Sequence, residues 1–247
     1  MTAPDYTART VRALLGVSAH PGGLTLTRHL LGLMGLPRTA RVADVACGSG
    51  ASAVLLARTG ASVDGVDLEP AAVRRATRLA RRAGVAGRTS FAVGDAQALP
   101  LMSARYDGAL CECSLSTFAD PASALAEMAR LLNPGGRLGL TDVTVDRAGL
   151  RAAHPRVLAA LDGLTTARPL SAYAGLVAAA GMTVERVEER DGDALALLRR
   201  LHGRLRVAGL VYRPARTAAA VTAEAMTAVR AGLLGYGLVV ALRTPGT

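Results

Sequence analysis

Residues 42–57 read V-A-D-V-A-C-G-S-G-A-S-A-V-L-L-A, and three local structures follow one another within them. Arg41 to Ala46 is short and apolar, as a strand covered on both faces requires. Cys47 to Gly50 is a glycine turn, and from Ala51 small and apolar residues open a helix. Gly48, Gly50 and Ala53 fall on the G-x-G-x-x-G/A spacing, by which a strand hands the chain to a helix N-terminus beside a bound nucleotide. On that pattern Gly48 permits the turn, Gly50 lets a ligand approach the backbone, and Ala53 lets the helix lie close on the sheet. Asp44, four residues before Gly48, sharpens the reading. A carboxylate there repels a pyrophosphate but suits a ligand carrying an ammonium group.

Outward from this stretch, strands and helices alternate in the manner of a parallel sheet. Further strands are expected at Ala61 to Asp67, Arg88 to Val93, Tyr106 to Cys111, Arg137 to Val143, Thr183 to Glu189 and Tyr236 to Arg243. Between them, Pro70 marks a first helical turn, and Gly60, Gly84 and Gly181 are helix stops. Asp120-Pro121 is an N-cap and first-turn proline, while Asn133-Pro134-Gly135-Gly136 is a chain break before the fifth strand. Helices are also expected around Val11 to Leu15, at Leu24 to Leu33, Pro155 to Leu161 and Ser171 to Ala180. Two more follow from the spacing of Leu195, Leu198, Leu201 and Leu205 and of Val221, Ala225, Met226 and Val229.

The 247 residues carry 51% hydrophobic side chains, enough for a substantial core. All 29 basic residues are Arg, and with 19 acidic ones they leave a formal charge of +10. Such a balance could favour nucleic acid, yet the arginines are scattered and only two Phe, five Tyr and no Trp are present for base stacking. The one cluster, Arg74, Arg75, Arg78, Arg81 and Arg82, sits opposite Val73, Ala76, Ala80 and Ala83 and reads as a solvated helix face. Three cysteines without a framework spacing argue against a disulfide-rich secreted chain. The N-terminus lacks signal-peptide character, and Ala231 to Leu242 is too short and glycine-rich to span a bilayer. A cytoplasmic protein without a membrane or nucleic-acid partner is expected.

Four further features accompany the first motif. V-D-G-V-D-L places Asp67 at the end of the second strand, Gly94-Asp95-Ala96 follows the third, Y-D-G-A-L-C forms the fourth, and L-L-N-P-G-G-R-L-G-L leads into the fifth. Together with D-V-A-C-G-S-G they resemble the ordered motifs of class I S-adenosylmethionine (SAM) dependent methyltransferases, of the broad methyltransferase-11, small-molecule type. The resemblance covers roughly residues 40 to 190 and the last strand. It implies an α/β fold with a Rossmann-like seven-stranded, mostly parallel sheet, the last strand antiparallel, with helical N-terminal and C-terminal additions. It also implies one methyltransferase domain over 1–247: a helical lid at 1–35, a SAM-binding core at 36–190, and a helical insertion at 191–234 before the strand at 236–243. The cofactor would be S-adenosyl-L-methionine. Asp44, Ala46, Gly48 and Gly50 would surround it at the first turn. Asp67 would meet the ribose, with Leu68 next to it also cofactor-binding, while Gly94, Asp95 and Ala96 would meet the adenine and Cys111 the methionine end.

The acceptor follows less directly. Cys111-Glu112-Cys113-Ser114 departs from the Pro-Pro-aromatic run of enzymes that methylate planar amino groups, which favours a small molecule, as in natural-product or quinone metabolism. Cys47, Cys111 and Cys113 also suit a thiophilic metalloid such as arsenite as acceptor, but no histidine is placed to complete a metal site, and none is expected. A dinucleotide-dependent oxidoreductase or a catalytically silent partner protein would account for part of the pattern; the first leaves Asp44 and Asp95 without a role. His20, before the Pro21-Gly22-Gly23 turn, and Glu112, next to the expected methyl position, are the candidate catalytic residues lining the acceptor pocket. A plainer reading makes His20 a turn cap and pairs Glu112 with a nearby Arg. His29 lies in an apolar helix pattern and reads as packed. A homodimer is left open.

Overall fold

Seven strands form one sheet: β1 (Arg41–Val45), β2 (Ser62–Asp67), β3 (Thr89–Val93), β4 (Tyr106–Glu112), β5 (Leu132–Val145), β6 (Met182–Glu189) and β7 (Leu234–Arg243). The computed structural model describes residues 20–210 and 212–244, so the helix expected around Val11 to Leu15 lies outside the described residues. Across the sheet the order is β3-β2-β1-β4-β5-β7-β6. β1 pairs in parallel with both β2 and β4, so the winding direction reverses at β1. β7 runs antiparallel between β5 and β6. An open sheet of this kind leaves a crevice beyond the carboxyl ends of its strands where the order reverses.

Nine helices are described: α1 (Gly23–Met34), α2 (Ala51–Thr59), α3 (Pro70–Arg82), α4 (Pro121–Leu131), α5 (Arg147–Ala153), α6 (Pro155–Ala160), α7 (Leu170–Ala179), α8 (Asp191–Ala208) and α9 (Arg213–Arg230). One sheet face takes α1 and α2, where Leu26, Leu30, Met34 and Val54 pack with Val42 and Leu110. The other takes α4 and α7, where Leu125, Met128 and Val177 pack with Ala43, Val45 and Leu138. With both faces covered, β1 is buried from Val42 to Val45, which is why its sequence shows no alternation. The helices α5, α6, α8 and α9 share a third apolar cluster around Leu150, Val157 and Val229.

Local chemistry starts and stops these elements as the residue types require. Asp120 Oδ1 accepts the N–H groups of Ala122 at 3.0 Å and Ser123 at 3.1 Å, capping α4 ahead of Pro121. The Asn133–Gly136 break differs from expectation. Leu132 already pairs with Tyr106, and pairing resumes at Gly108 with Arg137, so residues 133–136 loop out as a bulge at the start of β5. Gly135 takes the left-handed backbone (φ 83°) that lets the strand rejoin its partner. Residues 146–168, expected to hold one short helix, hold α5 and α6.

Between β5 and β7, the fully buried Thr141 and Tyr236 share a hydroxyl–hydroxyl bond of 2.9 Å. Tyr236→Phe strands the Thr141 hydroxyl and is expected to lower the unfolding free energy by about 1–2 kcal/mol in urea titrations. Adding Thr141→Val should bring less than the sum of the two single effects, because the orphaned partner is then gone.

Candidate functional site

The carboxyl ends of β1, β2 and β4 open into a cavity of about 890 Å³, within the range that holds small molecules and cofactors. β1 contributes Asp44. Its carboxylate is 3% exposed, and Oδ2 has no hydrogen-bond partner among the described residues. Burial, then the charge of Glu112, pushes the Asp44 carboxyl up to about 8, against a backbone hydrogen bond from Ala53 that pulls the other way. A buried carboxylate oxygen without a donor is costly to leave so, and it faces a cavity that a cationic group can enter.

The turn after β1 is held by the neighbouring strand. Asp67 at the end of β2 accepts the Gly48 N–H on Oδ2 at 2.8 Å and the Glu69 N–H on Oδ1 at 2.9 Å. Asp67 lines the cavity and each of its oxygens has capacity for a second hydrogen bond, so the carboxylate can order the loop and still accept ligand hydroxyls. Leu68 beside it is 71% exposed, an apolar surface on the wall. On the facing loop, Asp95 accepts the Gln97 N–H at 2.9 Å, and Gln97 in turn accepts the Asp120 N–H at 2.9 Å. Gly94, Asp95 and Ala96 are thereby tied to the α4 cap.

Two glycines divide their work differently from the sequence expectation. A Cβ on Gly48 (φ 55°) would meet nothing within 4 Å, so the open approach to the ligand belongs to Gly48. A Cβ on Gly50 (φ 77°) would lie 2.8 Å from the Ala76 Cβ, so this glycine lets α3 pass close to the start of α2 and does not line the cavity. The expectation for Cys111 also needs correcting. β4 continues to Glu112, and Cys111 points with 0% exposure into the apolar core, where burial holds its thiol protonated. Cys47 and Cys113 do line the cavity, their thiols also pushed up by burial, so none of the three offers a ready thiolate at neutral pH.

His20 and Glu112 come together on the same cavity. Glu112, at the end of β4, accepts Ser52 Oγ at 2.5 Å and Thr27 Oγ1 at 3.0 Å, joining α2 and α1 to the strand. His20 Nε2 lies 4.0 Å from Glu112 Oε1, and His20 Nδ1 lies 3.0 Å from the Pro21 carbonyl. A carbonyl only accepts, so Nδ1 carries a proton, and Nε2 is the ring nitrogen on the Glu112 side. Among the described residues no Arg pairs with Glu112; hydroxyls take that place. His29 is not packed: the buried stripe of α1 is Leu26, Thr27, Leu30 and Met34, and His29 faces outward to Glu188 at 2.8 Å. Thr27, Ser52, Ser114 and Thr117 escaped the sequence reading, since lone hydroxyl residues at helix starts and turns carry no distinguishing pattern. In the α3 cluster, Arg74 and Arg81 form the outer face as expected, while Arg75, Arg78 and Arg82 also edge the cavity.

A methyltransferase domain family model matches residues 43–140. The O-methyltransferase rstn1 of Aspergillus nomiae is 31% identical over 176 residues, which span 69% of this chain and 77% of that protein. The chain belongs to the class I SAM-dependent methyltransferases. The 27-O-demethylrifamycin SV methyltransferase of Amycolatopsis mediterranei is 32% identical, over 66% of this chain and 61% of its own. The chain spans about half to three-fifths of the length of several curated relatives that it matches. In fold it matches a geranyl diphosphate C-methyltransferase from Streptomyces coelicolor A3(2), solved with S-adenosyl-L-homocysteine. There the TM-score is 0.72 at 18% identity, covering 90% of this chain and 80% of the other. The family's cofactor fits the cavity of this chain on its own chemistry: Asp44 offers a buried, unpartnered Oδ2 to a cation, and Asp67 offers acceptors to ribose hydroxyls. Among the described residues no helix is long and apolar enough to cross a membrane.

Asp44 also sets a stability signature. Its folded pKa lies above the unfolded value, so the native state retains a proton between about pH 4 and 8 that the unfolded chain has lost, and stability falls as pH rises through that window. Asp44→Asn in the ligand-free protein is expected to raise Tm at pH 8–9 by about 2–4 °C per kcal/mol recovered and to flatten the decline. A lower Tm at pH 9 would contradict the burial of a charged group there.

Proposed function

We propose that the protein transfers a methyl group from SAM to a hydroxyl of a small molecule of the natural-product or quinone kind. The observation that carries the reading is the unpartnered Oδ2 of the buried Asp44 carboxylate at the floor of the strand-end cavity, beside Asp67. The relatives named for O-methyl transfer support the choice of oxygen. When bound, SAM supplies an electrophilic methyl on a sulfonium. Asp44 takes the ammonium end, Asp67 the ribose hydroxyls, Leu68 one adenine face and Asp95 the adenine amino edge. Gly48 gives the cofactor backbone-close approach.

The acceptor lies against the wall made by Glu112, Ser114, Thr117 and Phe118, with His20 above it. Transfer is an in-line displacement, so most of the rate comes from holding oxygen and methyl in line. His20 Nε2 would take the proton that the acceptor hydroxyl gives up as its oxygen is methylated. Glu112, fixed by Thr27 and Ser52, then faces the resulting imidazolium as a counter-charge. Ser52 and Thr27 hold the carboxylate to one rotamer, which keeps the pair aligned.

In calorimetry, SAM and S-adenosylhomocysteine are expected to bind while NADH does not, and Asp67→Ala should weaken SAM about tenfold or more. On an acceptor panel, His20→Ala and Glu112→Gln should each lower turnover by roughly 10²–10⁴ with SAM affinity kept. Full turnover in both variants would remove these two from the reaction. Tight DNA or RNA binding at about 0.15 M salt would instead point away from a small-molecule acceptor.

A further inference from the structure

Behind the acceptor wall lies a buried carboxylate that neither the cofactor nor the transfer step uses. Asp142, on β5, is 2% exposed and forms no ion pair among the described residues. It is instead surrounded by donors. Oδ2 accepts the Ser116 N–H at 2.8 Å, and Oδ1 accepts Ser116 Oγ at 2.7 Å and the Val143 N–H at 2.7 Å. Ser116 is itself fully buried, at the centre of the short turn Leu115–Thr117 that follows β4. That turn continues outward: the Ser116 carbonyl accepts the Thr166 N–H at 3.0 Å, and Thr166 Oγ1 reaches the Leu115 carbonyl at 3.2 Å and the Phe118 carbonyl at 3.3 Å.

The residues on either side of Ser116 are the ones that face the cavity: Ser114, Thr117, Phe118 and Ala119. Asp142 and Ser116 do not line it. We propose that Asp142 is a positioning residue for methyl transfer, gripping Ser116 from the sheet so that the 114–119 segment stands as a fixed acceptor wall. The inference rests on the methyltransferase reading of the cavity. Physical reasoning favours geometry over stability as the reason for the carboxylate. Burial pushes its pKa up to about 6 even with Ser116, Val143 and Leu115 pulling down, so ionising the group here is costly, and its hydrogen bonds rather than its charge are what it contributes. An apolar residue cannot capture a backbone N–H and a hydroxyl of the same residue, and without that capture the turn loses its direct tie to β5 and keeps the Thr166 bonds, its own internal bonds and the packing of Leu115. Thr166 in turn joins this turn to the segment between α6 and α7.

The test uses the full chain with bound S-adenosylhomocysteine and the variants Asp142→Ala, Asp142→Asn and Ser116→Ala. Asn can satisfy two of the three donors, Ala none, and Ser116→Ala removes only the hydroxyl bond. Amide hydrogen exchange over 114–119 should therefore speed up at least about tenfold in Asp142→Ala and by smaller factors in the other two, with β1 and β2 unchanged. SAM affinity should stay within about twofold in all three. With any acceptor that the wild type turns over, KM for that acceptor should rise about tenfold or more while KM for SAM holds. Unchanged exchange at 114–119 in Asp142→Ala overturns the proposal, as does loosening spread equally over β1 and β2, or a fall in SAM affinity matching the acceptor effect. Should Asp142→Ala not fold, Ser116→Ala decides on the same readouts. A wild type that binds no SAM would sink the methyltransferase reading, while the exchange data would still judge the anchor.

Discussion

A carboxylate placed in a low-dielectric cleft with nothing to pair against organises this protein. Asp44 sits in β1 between two parallel neighbours, Gly65 of β2 and Leu110 of β4, at the strand where the sheet reverses its winding. The position removes water from the group, and the closeness of Glu112 and Asp67 adds repulsion, so its charge is unfavourable until a cation arrives. A site that binds a sulfonium and an ammonium needs this arrangement, and a closed intramolecular ion pair would satisfy Asp44 at the expense of the ligand. Among the described residues no arginine pairs with Asp44, and the arginines that edge the cavity come from α3.

The rest of the cleft serves to hold that floor still. Asp67 ties the β1–α2 turn to β2 through Gly48, Gln97 ties the third loop to the α4 cap, and Glu112 ties β4 to α1 and α2 through Thr27 and Ser52. Each tie is a charged or polar side chain meeting a hydroxyl or a backbone N–H, at a strand end where the ladder stops and backbone groups need partners. Ala46 and Cys113 both take left-handed backbone conformations, with φ of 57° and 54°, where β1 and β4 leave the sheet. Two non-glycine residues in that region, both on the cavity, mark the strand ends as places where geometry has been put ahead of local stability.

Much of this is legible in the sequence because it is encoded locally. Short apolar runs ended by glycine mark the strands, Asp120-Pro121 marks the α4 cap, and the order of Asp44, Gly48, Asp67 and Asp95 outlines the cleft. What escapes is set by tertiary packing. Gly50 sits on the nucleotide-loop pattern, yet its lost side chain makes room for Ala76, a residue 26 positions away that no spacing rule connects to it. Cys111 reads as a site residue only because β4 runs one residue further than its apolar run suggests. His29 lies among leucines, but the buried stripe runs through Leu26, Thr27, Leu30 and Met34 and misses it. The Asn133–Gly136 run reads as a turn, and only the pairing of Leu132 with Tyr106 reveals it as a bulge. Asp142 and Ser116 carry no signal, since a lone aspartate in a strand reads as an exposed face until the turn that covers it is seen.

If Asp44 is the floor that receives the cofactor's cation, binding must take a proton off it. At pH 7 the ligand-free group, raised to about 8, is mostly protonated, and the cation draws it into the ionised form. The direct measurement is isothermal titration of SAM at pH 7 in two buffers of different ionisation enthalpy. The account predicts that the observed enthalpy differs between buffers by an amount corresponding to release of close to one proton, with the difference fading toward pH 9 and absent in Asp44→Asn. Binding of SAM at pH 7 with the same enthalpy in both buffers would show that Asp44 does not receive the charge, and would contradict the account at its base.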